Sequence, residues 1–400
     1  MVSFLRRNKS TVGLDIGSGF IKVAVIDHSG PEPELVHVSH TPLIADAIVE
    51  GEVMDPQIVV QTVKSLMESS GVKPKRLVAS VGGRDVMVKK IQMDRMKEAD
   101  AREVIRWEAE QYVPFDMENV QLDFQILDPL DDGLQMNVLL VAAKRDVVDQ
   151  KVGLLRDAGL GPTVIDVDSF ALHNAFEYNY PEAMEGVAAL VNVGHEISTV
   201  NVLQDGAMVL TRDVPFGSRK LREDLRRMHG LTVEEADAVL QGRSDRAREF
   251  EELLRGGAED LAVGVERALA FLGAADGATG AGRVFVCGGG ARIPGLVDVV
   301  AARLRARTEV ASPLQRLRAR PGVTSFFAVD ELAPIFRHPE TAQEDCRRQL
   351  LLERRKALGA VRVSLGIAST FADVHRLVCF VRGFLDRASV ETPVREAVPG

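Results

Sequence analysis

Gly13-Leu14-Asp15-Ile16-Gly17-Ser18-Gly19-Phe20-Ile21-Lys22 is followed at once by the apolar run Val23-Ala24-Val25-Ile26. The order predicts a strand, a tight glycine turn and a second strand. Gly17 and Gly19 can take backbone angles closed to other residues, so the turn can aim several N–H groups at one point. Converging donors suit phosphate oxygens. Asp15 is placed to hold a hydrated divalent cation, and Lys22 to reach a phosphate as a point charge. The segment is not a P-loop, which needs GxxxxGK[ST] running into a helix. Alone it reads more readily as a plain hairpin turn, so its weight depends on what stands elsewhere in the chain.

Two further segments supply that weight. Leu190-Val191-Asn192-Val193-Gly194-His195-Glu196-Ile197-Ser198-Thr199-Val200-Asn201 repeats the opening grammar, an apolar strand running into a glycine turn and a second apolar strand. Val284-Phe285-Val286-Cys287-Gly288-Gly289-Gly290-Ala291-Arg292-Ile293-Pro294-Gly295-Leu296 delivers three glycines from a buried strand and then starts a helix. Triple glycine lets a flat ring lie on the backbone, and a helix N-terminus directs N–H groups at an anion. Phosphate turn, phosphate turn and adenosine turn stand in the order found in the actin, sugar-kinase and DnaK-type chaperone superfamily, which the chain resembles. The expected fold is α/β: an actin-like ATPase fold of two lobes.

Between these segments the pattern alternates regularly. Asp55-Pro56 starts a helix over 55–70 that Gly71 stops, with Asp55 as N-cap and Pro56 in the first turn. Strands are expected over 77–81, 86–93, 120–127 and 135–142, and helices over 98–112 and 145–158. Residues 80–160 thus read as a small α+β unit with its own strands and helices. The expected organisation is a first lobe at 1–79 and 161–186, the inserted α+β subdomain at 80–160, and a second lobe at 187–334 that includes a helical subdomain at about 218–275. Regular α/β grammar fades after Pro334, leaving 335–400 as a divergent tail.

The bulk numbers narrow the function. With 400 residues and 46% apolar residues, two or three domains can bury full cores. A net charge of −9 argues against general nucleic-acid binding. The three cysteines, Cys287, Cys346 and Cys379, have no metal-ligand spacing, which excludes a zinc ribbon or a disulfide scaffold. No apolar stretch is long enough to span a bilayer and residues 1–10 do not form a signal peptide, so the expected location is the cytoplasm.

Within the superfamily the chain resembles PilM, the actin-like family of type IV pilus assembly. The resemblance rests on Gly13–Lys22, on Arg106-Trp107-Glu108-Ala109-Glu110-Gln111-Tyr112-Val113-Pro114-Phe115-Asp116, and on Val141-Ala142-Ala143-Lys144-Arg145-Asp146-Val147-Val148. Asp166-Val167-Asp168-Ser169-Phe170-Ala171-Leu172, Leu190–Asn201, Val214-Pro215-Phe216-Gly217 and Gly288–Leu296 extend it. The family shares with the division protein FtsA an inserted subdomain in place of one actin subdomain. The resemblance implies ATP or ADP with Mg²⁺ in the cleft between the lobes. Asp15, Gly17, Ser18, Gly19 and Lys22 would hold phosphate and Mg²⁺, Asp15 through water. Asn192 and Gly194 would form the second phosphate turn, and Gly288, Gly289, Gly290 and Arg292 the adenosine side. It further implies a groove beside the inserted subdomain for the cytoplasmic N-terminal tail of the inner-membrane protein PilN. Other pilus machinery proteins and a homo-oligomer or ring would complete a platform peripheral to the inner membrane.

Asn192 stands where many actin-like ATPases place an aspartate, which removes a charge from the Mg²⁺ site and points to weak hydrolysis or none. No catalytic residue declares itself. An FtsA-like membrane-associated filament protein and a sugar-kinase-like phosphotransferase are the alternatives. The charged run Arg219–Arg227 reads as a solvated helix face, and His195 as a surface residue more than a phosphate ligand. The tail holds ten arginines and one lysine, which a divergent extension and a late frameshift would both produce. Its segment 374–385 reads as a basic amphipathic helix for an anionic membrane surface, or as a helix packed on its own protein or a poorly ordered tail.

Overall fold

The structure is a computed structural model describing residues 10–127, 133–276, 281–313, 315–320 and 323. The expectations for the tail 335–400 lie outside the described residues. The chain opens with the antiparallel strands β1 (Ser10–Ile16), β2 (Phe20–Asp27) and β3 (Glu34–Pro42). A short hairpin follows, β4 (Ile48–Val49) and β5 (Glu52–Val53), and then α1 (Pro56–Ser70). Asp55 caps α1 by accepting from the Gln57 and Ile58 amides at 3.0 and 3.1 Å, and Gly71 ends it at φ 65°. β6 (Leu77–Val81) runs parallel to β1.

The next stretch holds β7 (Val86–Asp94), α2 (Glu98–Glu110), β8 (Val120–Ile126), β9 (Gln135–Lys144) and α3 (Arg145–Asp157). β10 (Pro162–Val167) returns to pair with β6, and α4 (Asp168–Asn179) leads away. The second half begins with the meander β11 (Val187–Val193), β12 (Ser198–Gln204) and β13 (Ala207–Val214). Three helices follow, α5 (Ser218–His229), α6 (Val233–Leu240) and α7 (Glu251–Asp276). The last elements are β14 (Arg283–Cys287), α8 (Leu296–Leu304), β15 (Arg307–Val310) and β16 (Arg318–Ala319).

The two halves share one topology. The first sheet orders its strands β10-β6-β1-β2-β3, the second β15-β14-β11-β12-β13. In each, a meander of three antiparallel strands is flanked by two strands parallel to its first member. The apolar alternation explains why. Ile21 and Val23 in one half and Val191, Val200 and Val202 in the other are 0% exposed, so the strands are covered and their register is fixed by burial. Helices α5 to α8 cover the second sheet, and Gly264 lets α7 come so close that a methyl there would strike Val214.

The strands of residues 80–160 continue the second sheet, not the first. β7 pairs antiparallel with β13 at Leu210–Lys89, and β9 and β8 follow outward. The segment is therefore connected through the backbone to the first half and hydrogen-bonded to the second. Near the end of the described residues, β16 crosses back and pairs with β3. That crossing is pinned to the end of α4. The Arg316 and Leu317 amides donate to Asn179 Oδ1 at 2.9 and 3.2 Å, and the Ser312 amide to the Tyr180 hydroxyl at 2.8 Å.

Candidate functional site

The β1–β2 turn is closed by the Gly17 amide donating to the Phe20 carbonyl at 3.1 Å. Asp15 and Lys22 are cross-strand partners in the β1–β2 register, so their side chains meet, Nζ to Oδ2 at 2.8 Å. Both are largely buried, with side chains 7% and 12% exposed. A charge pair this dry is a strong local electrostatic feature, and its lysine end is a ready partner for an anion.

The β11–β12 turn is the counterpart. Asn192 and Thr199 pair in the β11–β12 register as Asp15 and Lys22 do in β1–β2. Thr199 donates to Asp213 Oδ1 at 3.0 Å. Asn192 directs its Oδ1 toward Cys287 and Gly288, with the Cys287 sulfur 4.0 Å away. Gly288 is at φ 85°, ψ 170°, a conformation nearly exclusive to glycine, and a Cβ there would sit 2.6 Å from Asn192 Oδ1. The first glycine of the triplet is thus required by the close passage of β14's end across β11.

The three turns face a single cavity of about 280 Å³. Asp15, Gly17, Ser18, Gly19 and Lys22 line it from the first half; Asn192, Gly194, Gly288 and Gly289 line it from the second. Gly290 and Arg292 are not in its wall. Gly290 backs onto Val193. Arg292 lies in a 3₁₀ turn at Gly289–Arg292, separated from α8 by Gly295 at φ 75°. Its positive charge, like that of Lys22, lowers the pKa of His40, although burial of that ring is the larger cause. Arg292 therefore lies near His40 of β3; the sequence reading expected it on the adenosine side.

His195 is not a surface residue. Its ring lies against Gly19, so that a Cβ on that glycine would come within 2.7 Å of the His195 Cγ. The contact joins the two glycine turns directly. Arg222 Nη2 donates to His195 Nε2 at 3.3 Å, which leaves the proton on Nδ1, 3.5 Å from the Ser218 hydroxyl. Burial is the first cause that holds the imidazole pKa down to about 4, and the Arg222 and Arg219 charges add to it. The ring is neutral at pH 7. Of the charged run Arg219–Arg227, Lys220, Arg226 and Arg227 are exposed as expected, but Arg219 and Arg222 are half-buried and bonded to Glu196 and His195 of the cavity wall.

Two cleft carboxylates escaped the sequence reading. Asp168 heads α4, accepts from the Ser80 hydroxyl at 2.5 Å, and lies so close to Gly82 that no side chain fits there. Asp213 enters from β13 beside Thr199. Asp168 had a signal, since Asp166-Val167-Asp168 ends a strand at a helix start. Asp213 had none, because only the β12–β13 register puts it on the cleft side. Among the described residues no cluster of three metal-ligating side chains forms, and no helix is long and apolar enough to cross a membrane.

Comparison with known proteins bears on the fold and the family. A solved structure described as a PilM-PilN type IV pilus biogenesis complex superposes with a TM-score of 0.69 at 26% identity, covering 86% of this chain and 97% of that one. The cell division protein FtsA of Bacillus subtilis is 22% identical over 259 residues, 59% of this chain; the match spans 58% of that protein's length. The ethanolamine utilization protein EutJ of Carboxydothermus hydrogenoformans is more distant, at 18% identity and a TM-score of 0.49. The family profile described as type IV pilus assembly protein PilM matches residues 13–327. With two lobes of the actin-like ATPase fold and that match over most of its length, the chain belongs to the PilM family of type IV pilus assembly proteins.

Proposed function

We propose that this protein is an ATP- and ADP-binding scaffold of type IV pilus assembly, carrying Mg²⁺ with its nucleotide and hydrolysing slowly or not at all. The observation that carries the reading is the convergence of three glycine turns on one cavity, with Lys22 at its phosphate end. The residues present fit the group. Gly288 and Gly289 leave a bare backbone surface for a flat ring, and the β1–β2 turn offers backbone donors. Asp15 supplies a carboxylate for metal-bound water, and Lys22 supplies positive charge for phosphate. Bound Mg²⁺ would neutralise phosphate charge. Asn192 contributes a neutral amide where a carboxylate would hold the ion more tightly, which supports slow turnover.

By family membership, the partner is the cytoplasmic N-terminal tail of a PilN-like inner-membrane protein, bound beside residues 80–160. Other pilus machinery proteins and further copies of this chain would complete a cytoplasmic ring or platform held at the inner membrane through those partners. Calorimetric titration with Mg·ATP tests the nucleotide part. Asp15→Ala is expected to weaken Mg²⁺-dependent binding at least tenfold, or ~1.4 kcal/mol, and wild-type affinity in that variant would refute the assignment. Turnover well above about 1 s⁻¹ would refute slow hydrolysis and direct attention to Asp168.

A further inference from the structure

At the mouth of the cleft the two lobes are tied together by polar contacts that the nucleotide site does not need. Arg219, in the first turn of α5, holds three carboxylates. Its Nε donates to Glu223 at 2.7 Å and its Nη1 to Glu196 at 2.6 Å, both within the second lobe. Its Nη2 crosses to Asp46 Oδ1 at 2.6 Å, in the connection between β3 and β4 of the first lobe. Glu196 makes a second crossing, because its other oxygen accepts from the Glu50 backbone amide at 2.8 Å. Asp46 and Glu50 have φ of 65° and 50°. Non-glycine residues take that region at a cost, so the surroundings must hold them there.

We propose that Arg219, Glu196, Asp46 and the Glu50 amide form a latch that holds the lobes closed over the phosphate end of the cleft, and that its opening sets the rate of nucleotide release. Each half of the latch is fastened to a glycine turn. The Arg219 amide donates to the His195 carbonyl at 2.7 Å, and the Leu43 amide donates to the Gly19 carbonyl at 3.0 Å. The segment bearing Asp46 is stiffened from behind, with the Met54 and Asp55 amides both donating to the Ala47 carbonyl. The first turn cannot draw away from the second without breaking both crossings. Glu196 and Arg219 are mostly shielded, at 11% and 23% side-chain exposure, but Asp46 is 68% exposed. Solvent weakens the Asp46 end, so the device delays opening without locking it. Its removal is expected to speed release about three- to tenfold.

The inference rests on the reading of the cleft as a nucleotide site, and the test keeps the two apart. Asp46→Gly removes the carboxylate, suits a left-handed φ, and alters no residue of the cavity wall. Release of a fluorescent ADP analogue from the full chain, followed by stopped flow, is expected to accelerate by that factor. Hydrogen exchange over residues 44–53, measured without nucleotide, is expected to rise as the Glu50 amide loses its cover. Arg219→Ala should act in the same direction, and adding Asp46→Gly to it should change release no further. Unchanged release together with unchanged exchange in Asp46→Gly overturns the latch. A wild-type chain that binds no nucleotide would overturn the reading of the cleft and the release role with it.

Discussion

Gly288 and Gly289 are neighbours in one turn, yet alanine at each should do opposite things. At Gly288 the backbone is at φ 85°, and a methyl group would press into the Val193 carbonyl and lie 2.6 Å from Asn192 Oδ1. The carbonyl cannot yield, because Val193 is the last residue of β11 and fully buried, and the Asn192 amide would have to swing aside. Backbone strain of about 1–3 kcal/mol and overpacking of similar size add to about 2–6 kcal/mol for Gly288→Ala. At Gly289 no heavy atom stands within 4 Å of the new methyl and φ is not positive. Gly289→Ala should leave stability unchanged or raise it by about 0.5 kcal/mol through the unfolded chain. It lines the cavity, however, and a methyl there would lift a flat ring off the backbone. A loss of about tenfold in nucleotide affinity is expected, ~1.4 kcal/mol. Thermal melting and calorimetric titration of both variants, side by side, read the two effects. A wild-type melting temperature in Gly288→Ala would refute the packing argument. Unchanged affinity in Gly289→Ala would refute the placement of the ring.

Other expectations are simpler. The folded protein holds the His195 pKa near 4, below the ordinary 6.5, so the unfolded chain binds more protons between these values. Stability must then fall as pH drops through that window, by up to ~3 kcal/mol from this residue. Urea denaturation at pH 7 and pH 4.5 checks this against His195→Gln, and an equal loss in both proteins would acquit the imidazole. Phe285 is fully buried and packs edge-on to Phe176 at 4.6 Å and beside Tyr180 at 5.3 Å. Phe285→Ala should cost about 3–5 kcal/mol, measurable by the same denaturation. Finally, if the lobes and the 80–160 segment move together, Mg·ADP should change the affinity for a synthetic PilN-like tail, and the tail should change ADP affinity by the same factor. Equal tail affinities with and without nucleotide would show the two sites to be independent.

Sequence reading succeeded where local rules dominate. Asp55-Pro56 and Gly71 mark both ends of α1 because capping and left-handed φ are local requirements. The two strand–turn–strand segments were legible because burial on a covered sheet demands apolar alternation around a glycine. Helix α2, expected through Tyr112, stops at Glu110; the Tyr112 and Val113 amides both turn back to the Ala109 carbonyl. Proline at 114 restricts the residue before it, so the termination begins earlier than a clash alone suggests. His195 and Arg219 were unreadable for a different reason. Nothing within ten residues of either announces Gly19 or Asp46, which lie more than 170 residues away and arrive only when the lobes face each other.

The least legible feature is the one that joins the parts mechanically. β7 meets β13 through a single paired position, Leu210 with Lys89, and neither residue differs in kind from its neighbours. Within β7, alternation gives the face that is buried but says nothing of which strand lies alongside. Once formed, the pairing has a consequence. Residues 80–160 leave the first lobe at the end of β6 and return to it through α3, yet their strands are hydrogen-bonded to the second lobe. A rotation of one lobe against the other cannot leave the segment at rest relative to both. It must strain either the β7–β13 contact or the two backbone connections at 81–86 and 144–145. The pairing is backed by Val88, Leu139 and Val141, which share a buried core with Leu203, Met208 and Phe285 of the second half, so the segment is seated on the second lobe and the backbone connections are the natural hinges. The Arg219–Asp46 crossing resists that rotation at the phosphate turns. Contacts at the cleft mouth and the seating of the 80–160 segment therefore draw on the same inter-lobe geometry.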